Sequence, residues 1–286
     1  MKIYMVVDCE GISEITTGAM IRTGTSEWDS RGPHMATDEV NAMLEGLAEA
    51  GAEQVTICDS HDAAENLIRE SLHPLGELIS GATNITPMLP GLDGSYDALY
   101  LIGLHARMGT LHGHINHTFT TAAISELRLN DRSVGEIGLH AAYAGYHSVP
   151  VGMVSGDDKA VAEAHEPLGD VPSVAVKTGL GRFAARVPAR EAVRPLLRTT
   201  GARGVQIVAT TLNLGGPLRA SMDFLRSAEA DAAEFVPGAV RSGARTVEYQ
   251  LDDPAMTFKA IQAMVKLGTG AAAKWAVALY STAARG

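Results

Sequence analysis

The chain has 286 residues, 46% hydrophobic and 20% charged, enough for one large or two modest domains around a real core. Its formal net charge of −10 excludes a general nucleic-acid binder, because neutralising phosphates needs a basic face. No run of about 20 apolar residues spans a bilayer, the apolar run 3–7 is shorter than a secretory h-region and ends in acidic residues, and only Cys9 and Cys58 carry thiols, so a cytoplasmic protein with reduced cysteines and no membrane partner is expected.

Residues 2–7 form a β-branched apolar run that ends at Asp8-Cys9-Glu10-Gly11. Val40, Met43, Leu44, Leu47 and Ala48 then follow helical spacing, with Thr37 or Asp38 as N-cap and Gly51 as the stop. A second run, 53–58, ends at Asp59-Ser60-His61, and a third, 98–102, at Gly103-Leu104-His105. Short runs of this kind read as buried strands. Asn130-Asp131 within 127–134 reads as a hairpin turn, and Gly135-Glu136 opens a helix to about Tyr146. A fourth apolar run, 149–154, leads through Ser155-Gly156-Asp157-Asp158 into an Ala-rich helix.

From about Ser173 the texture changes. Residues 174–177 and 205–209 read as strands around a basic helix, 190–198. A helix is expected over 218–228, with Leu218, Met222 and Leu225 on one face, then a strand at 245–250 and a long helix opened by Pro254. The expected fold is α/β: a doubly wound, mostly parallel sheet with helices on both faces, plus a smaller C-terminal α+β part. The division is expected near residue 190, giving an α/β metal-binding catalytic domain at 1–189 and a smaller α+β domain at 190–286.

Parallel strands would gather the residues that follow them at one sheet edge, where open α/β folds bind ligands. Asp8 and Glu10, two apart on extended chain, point to one side, and Cys9 points into packing. Asp59 and His61 have the same spacing, although a turn there breaks the geometry. His105 follows a buried strand in a small-residue setting. Asp, Glu and His without thiolate suit zinc, manganese, cobalt or iron, whereas calcium prefers oxygen alone. More donors than one ion needs suggests two metals sharing a carboxylate. In the histidine-rich segment 111–118, His112 and His114 read as exposed loop residues. His117 is the better candidate for proton transfer or oxyanion stabilisation. Glu136 reads equally as a ligand or as a plain acid at a helix N-terminus.

Six motifs occur in order: Val7-Asp8-Cys9-Glu10-Gly11, Asp59-Ser60-His61, Gly103-Leu104-His105-Ala106, Asn116-His117-Thr118, Asn130-Asp131-Arg132-Ser133-Val134-Gly135-Glu136 and Gly156-Asp157-Asp158. With them the chain resembles the zinc-dependent D-aminopeptidases of the peptidase M55 class. The resemblance runs with specific motifs to about residue 180 and more loosely to the C-terminal helix. It implies that Asp8, Glu10, His61, His105 and Glu136 hold two zinc ions per subunit and that His117 is catalytic. It also implies cleavage of the N-terminal residue from short peptides containing D-amino acids, in a homodecamer of two stacked pentameric rings. The chain departs from the family pattern at Asn116 and Thr118, beside His117, and at Cys58 before Asp59. Alternatives are a two-metal phosphoesterase, an aminopeptidase of L- or other non-D specificity, and a peptide-binding or metal-storage protein on the same fold.

Overall fold

The computed structural model describes residues 1–81, 88–206 and 211–283, with side chains to residue 274. In chain order these form β1 (Lys2–Val7), α1 (Ser26–Glu49), β2 (Gln54–Asp59), β3 (Gly76–Ile79), β4 (Ala98–Leu104), β5 (Ile124–Leu129), β6 (Arg132–Ser133) and α2 (Glu136–Tyr146). There follow β7 (Val151–Asp157), α3 (Asp158–Leu168), β8 (Ser173–Gly181), β9 (Ala184–Arg186), α4 (Arg190–Gly204), β10 (Leu218–Phe224), α5 (Ser227–Ala233), β11 (Val240–Arg241), β12 (Thr246–Leu251) and α6 (Pro254–Ala283). Among the described residues no helix is long and apolar enough to cross a membrane. Cys9 and Cys58 are both buried and free.

Two compact units divide the chain. The first comprises Met1–Ala106, Thr110–Asn116 and Glu136–Asn213; the second comprises Arg107–Gly109, His117–Gly135 and Leu214–Gly286. These are not the contiguous parts 1–189 and 190–286 expected from sequence texture. Helix α4 belongs to the first unit because Val193 and Leu197 enter the apolar cluster of α1, and Arg190 and Arg194 pair with Asp38. The hairpin β5–β6 belongs to the second because β5 pairs with β10.

In the first unit the sheet order is β3-β2-β1-β4-β7-β8-β9, parallel except for the β8–β9 pair. Chain order runs outward in both directions from β1 and β4, so the switch point of the sheet lies between those two strands. Their register pairs Val7 with Ile102, while Val7 also faces Asp59 on β2. The chain leaving β1 therefore has the ends of β2 and β4 as its immediate neighbours, and an α/β sheet opens its ligand crevice at this place.

Alternation along the strands sets the packing. Ile3, Met5 and Val7 join Val40, Met43, Leu44 and Leu47 of α1 and Val193 and Leu197 of α4 in one cluster. Tyr4 and Val6, pointing the other way, are as fully buried, which is why the strand reads as an unbroken apolar run. Helix α1 begins at Ser26, a dozen residues before the expected cap, with Thr25 accepting the Trp28 amide. Its extra turns are held by a separate cluster in which Trp28, Met35 and Ala36 pack with Ile12, Ile15 and Met20.

The second unit is an antiparallel sheet, β11-β12-β10-β5-β6, with α5 and α6 packed on it. Asn130 and Asp131 form the β5–β6 turn, both at positive φ, as the hairpin reading expects. Residues 218–224, read as the start of a helix, are strand β10. Leu218, Ala220, Met222 and Phe224 all face the core, and a spacing of four satisfies a two-residue repeat as well as a helical one. The strand expected at 205–209 lies for the most part outside the described residues; Val205 is the C-cap of α4.

Candidate metal centre

Backbone contact between β1 and β4 creates the site. One residue beyond the strand, the Asp8 amide still donates to Ile102 O at 2.9 Å, and the Gly11 amide donates to Gly103 O at 2.7 Å. A Cβ on Gly11 would stand 2.0 Å from Leu104 O, and one on Gly103 would stand 2.1 Å from Asp8 O. Gly103 also has φ +69°, a conformation that favours glycine. Two glycines thus let the Asp8–Glu10 turn lie directly on the residues that lead into His105. On the other side of β1, the Ser60 amide and hydroxyl both donate to Val7 O, at 2.9 and 3.0 Å, and fix the turn that carries His61.

Five of the expected residues meet here. His61 Nδ1 lies 3.2 Å from Asp8 Oδ1 and 3.0 Å from Glu10 Oε2. His105 Nε2 lies 3.5 Å from Asp8 Oδ2 and 3.3 Å from Glu136 Oε1, with Glu136 the first residue of α2. Asp8, Glu10 and His105 each offer one donor atom within 4.8 Å of the others. All but Glu136 are buried. Asp59 is not part of this group in the way its spacing with His61 suggested. Its carboxylate accepts the Asn66 amide at 2.6 Å and the Asn66 side chain at 2.8 Å, tying down the loop behind His61.

The far nitrogen of each imidazole faces a backbone carbonyl: His61 Nε2 is 2.7 Å from Ile21 O and His105 Nδ1 is 3.0 Å from Ala106 O. In a neutral ring the proton must sit on that nitrogen, so the other nitrogen directs a lone pair at the carboxylates. Such an arrangement needs a cation in between, either a proton or a metal ion. Without metal, protons fill the role. Burial opposes a charge on His105, yet hydrogen bonding to Glu136 and the charges of Glu136, Asp8 and Glu10 push it up to about 10. Burial likewise opposes a charge on His61, and Glu10, Cys9 and Asp8 outweigh it and raise the ring well above its ordinary value. Burial would raise the Asp8 carboxyl, but the His61 hydrogen bond and the His105 charge hold it well below the carboxylate range. Three carboxylates and two imidazoles with no thiolate are nitrogen and oxygen donors suited to zinc-type ions. Cys9 stays out, its thiol raised by burial.

His117, the remaining expected residue, is half-buried and opens a segment of the second compact unit. Its chain neighbour Asn116 is anchored in the first unit, donating to Thr110 O at 2.6 Å and accepting from Arg182 at 2.8 Å. His112 is exposed as expected, but His114 is buried, its amide on Asp157 at 2.7 Å and its Nε2 3.0 Å from Thr16 O. Other residues around the centre were not singled out in the sequence. Trp28 packs beside the His61 ring at 5.8 Å between centroids, and the buried Lys177 and Glu39 hold the turn after β1. A lysine inside an apolar strand run was the one available signal.

A largely buried cluster of carboxylates and imidazoles at the switch point of an α/β sheet is the kind of donor set that metal-dependent hydrolases use. Known proteins agree. The peptidase M55 model, described as D-aminopeptidase, matches residues 1–263. A D-aminopeptidase of Bacillus subtilis (strain 168) is 34% identical over 270 residues, 93% of this chain and 97% of the relative. A solved structure, the Zn-dependent D-aminopeptidase DppA from Bacillus subtilis, described as a self-compartmentalizing protease, superposes with a TM-score of 0.89 at 33% identity, covering 94% of this chain and 98% of that one. The chain belongs to the peptidase M55 family of D-aminopeptidases.

Proposed function

We propose that this protein is a zinc-dependent aminopeptidase that removes the N-terminal residue from short peptides carrying a D-amino acid there. Asp8, Glu10, His61, His105 and Glu136 hold two zinc ions, and His117 is the catalytic histidine. The observation that supports this reading is the pair of carbonyl-anchored imidazoles, each turning its other nitrogen toward carboxylates of the cluster. The zinc-dependence of the structural relative supports the choice of ion.

When bound, such an ion pair activates water and polarises the scissile carbonyl. The chain's own residues do the rest. Ile21 O and Ala106 O keep the two imidazoles in the tautomer that ligates. The acidic side chains favour a free substrate ammonium, which suits an exopeptidase. His117 donates a hydrogen bond to the developing oxyanion or protonates the leaving amine.

The assembly is a homodecamer of two stacked pentameric rings, supported by the description of the relative as self-compartmentalizing. Ten chains of 30.0 kDa give a particle of about 300 kDa by light scattering. A cytoplasmic location fits two buried, free thiols.

The deciding assay is product release from D-Ala-D-Ala and L-Ala-L-Ala by zinc-loaded protein, with a chelator control. Chelator-sensitive release of D-Ala is expected. Release from the L-peptide alone would keep the metal chemistry and overturn the stereochemistry. Phosphate-ester turnover without peptide turnover would replace the peptidase reading; family membership does not favour it.

A further inference from the structure

Lys177 lies in β8, inside the sheet of the first unit, with 1% of its surface exposed. Its Nζ donates to Glu10 O at 2.6 Å, to Ile12 O at 2.7 Å and to Ile15 O at 2.5 Å. Three donors meet three acceptors, so the ammonium is fully satisfied. Those carbonyls belong to the two consecutive turns, 9–12 and 12–15, by which the chain leaves β1, the first of which carries Glu10. Glu39 of α1, also buried, grips the second by accepting the Ser13 amide at 2.8 Å.

A buried strand position of this volume is filled at far lower desolvation cost by methionine or leucine. What lysine alone adds is one point from which three protons reach three converging carbonyls. Arginine, a rigid planar fork, cannot place its donors that way. The contacts go to backbone rather than to any metal donor atom, so they hold the turn whether or not a metal is present.

We infer that Lys177 is a positioning residue for the metal centre: by taking three carbonyls of the turns after β1, it presets the Glu10 carboxylate before the metal arrives. The inference rests on the reading of Glu10 as a ligand.

The test compares wild type with Lys177→Met and Lys177→Arg, measuring zinc affinity by chelator competition and ligand geometry by the visible absorption of the cobalt-substituted protein. Partners that orient metal ligands are worth about 10–100-fold in affinity. Both variants are expected to lose affinity in that range and to shift the cobalt bands. A folded Lys177→Met with unchanged affinity and unchanged bands overturns the inference, and full rescue by arginine reduces the role of Lys177 to charge. Should the variants not fold, amide exchange in the wild type decides. The amides of Gly11, Ile12 and Ile15, bonded to Gly103 O, Cys9 O and Ile12 O, are expected to keep their protection when zinc is stripped. Loss of that protection means that the metal orders the turn and refutes the lysine's role. Failure of the ligand reading is separate: Glu10→Gln that retains its full zinc content and affinity removes Glu10 from the centre without altering the exchange of the turn.

Discussion

Replacing Gly11 by alanine tests how the centre is built. The new methyl would stand 2.0 Å from Leu104 O, 2.5 Å from the Gly103 carbonyl carbon and 2.6 Å from Gly103 O. Ordinary contact begins near 3.4 Å, so the turn and the end of β4 must part by about 1.4 Å. A side-chain shift cannot absorb this, since the three nearest atoms are all backbone. Overpacking of this kind costs about 1–3 kcal/mol, and here the upper end is expected. The displacement also separates Asp8 and Glu10 from His105, whereas metal–ligand distances tolerate only about 0.2 Å. Zinc affinity should fall by two orders of magnitude or more, roughly the loss of a well-oriented ligand. Urea unfolding of the metal-free protein reads the first effect and chelator competition the second. Gly18→Ala is the control, because a Cβ there meets nothing within 4 Å. A Gly11→Ala protein with wild-type stability and affinity would refute the argument that glycine–backbone contact sets the ligand spacing.

Asp8→Ala removes the carboxylate that faces both imidazoles, so zinc content and peptide turnover should disappear together in a metal assay run beside a kinetic one. His117→Ala should leave zinc content nearly unchanged and lower turnover by about 10²–10⁴-fold, the usual scale of acid–base help; retained turnover would remove it from the mechanism. Metal-free protein should lose stability as pH rises. The folded-state value of His105 is raised to about 10, so its contribution is complete below the unfolded imidazole value near 6.5 and is gone above 10. Melting temperatures at pH 6, 8 and 10 should fall with chelator present, and a flat or rising series would contradict that linkage.

The ends of β1, β2 and β4 that carry the proposed ligands were readable because a parallel strand buried on both faces is an apolar run, and the first polar residue after it marks the edge. The Asn130-Asp131 turn was readable because positive φ at both positions restricts the residue types. Glu136 was not decided by pattern: a carboxylate opening a helix is common, and only the placement of α2 puts it 3.3 Å from His105 and among the proposed donors. Strand β10 was misread because Leu218 and Met222 fit either period. The early start of α1 was missed because Gly32 and Pro33 lie within it, and the apolar cluster around Trp28 that sustains those turns is tertiary. Lys177 showed only as a lysine inside an apolar strand run, and its role was not legible because its partners are carbonyls 162 to 167 residues away.

The five proposed donors stand at positions 8, 10, 61, 105 and 136, so no short stretch of the unfolded chain contains them. They meet only after β1 has paired with β4 across roughly 95 residues, the kind of non-local contact that makes folding slow. Zinc consequently recognises the finished sheet and has little hold on the chain before the rate-limiting barrier. Its stabilisation should appear in the unfolding rate alone, with refolding equally fast in zinc and in chelator. The ion acts as a latch on a completed fold rather than as a template for it.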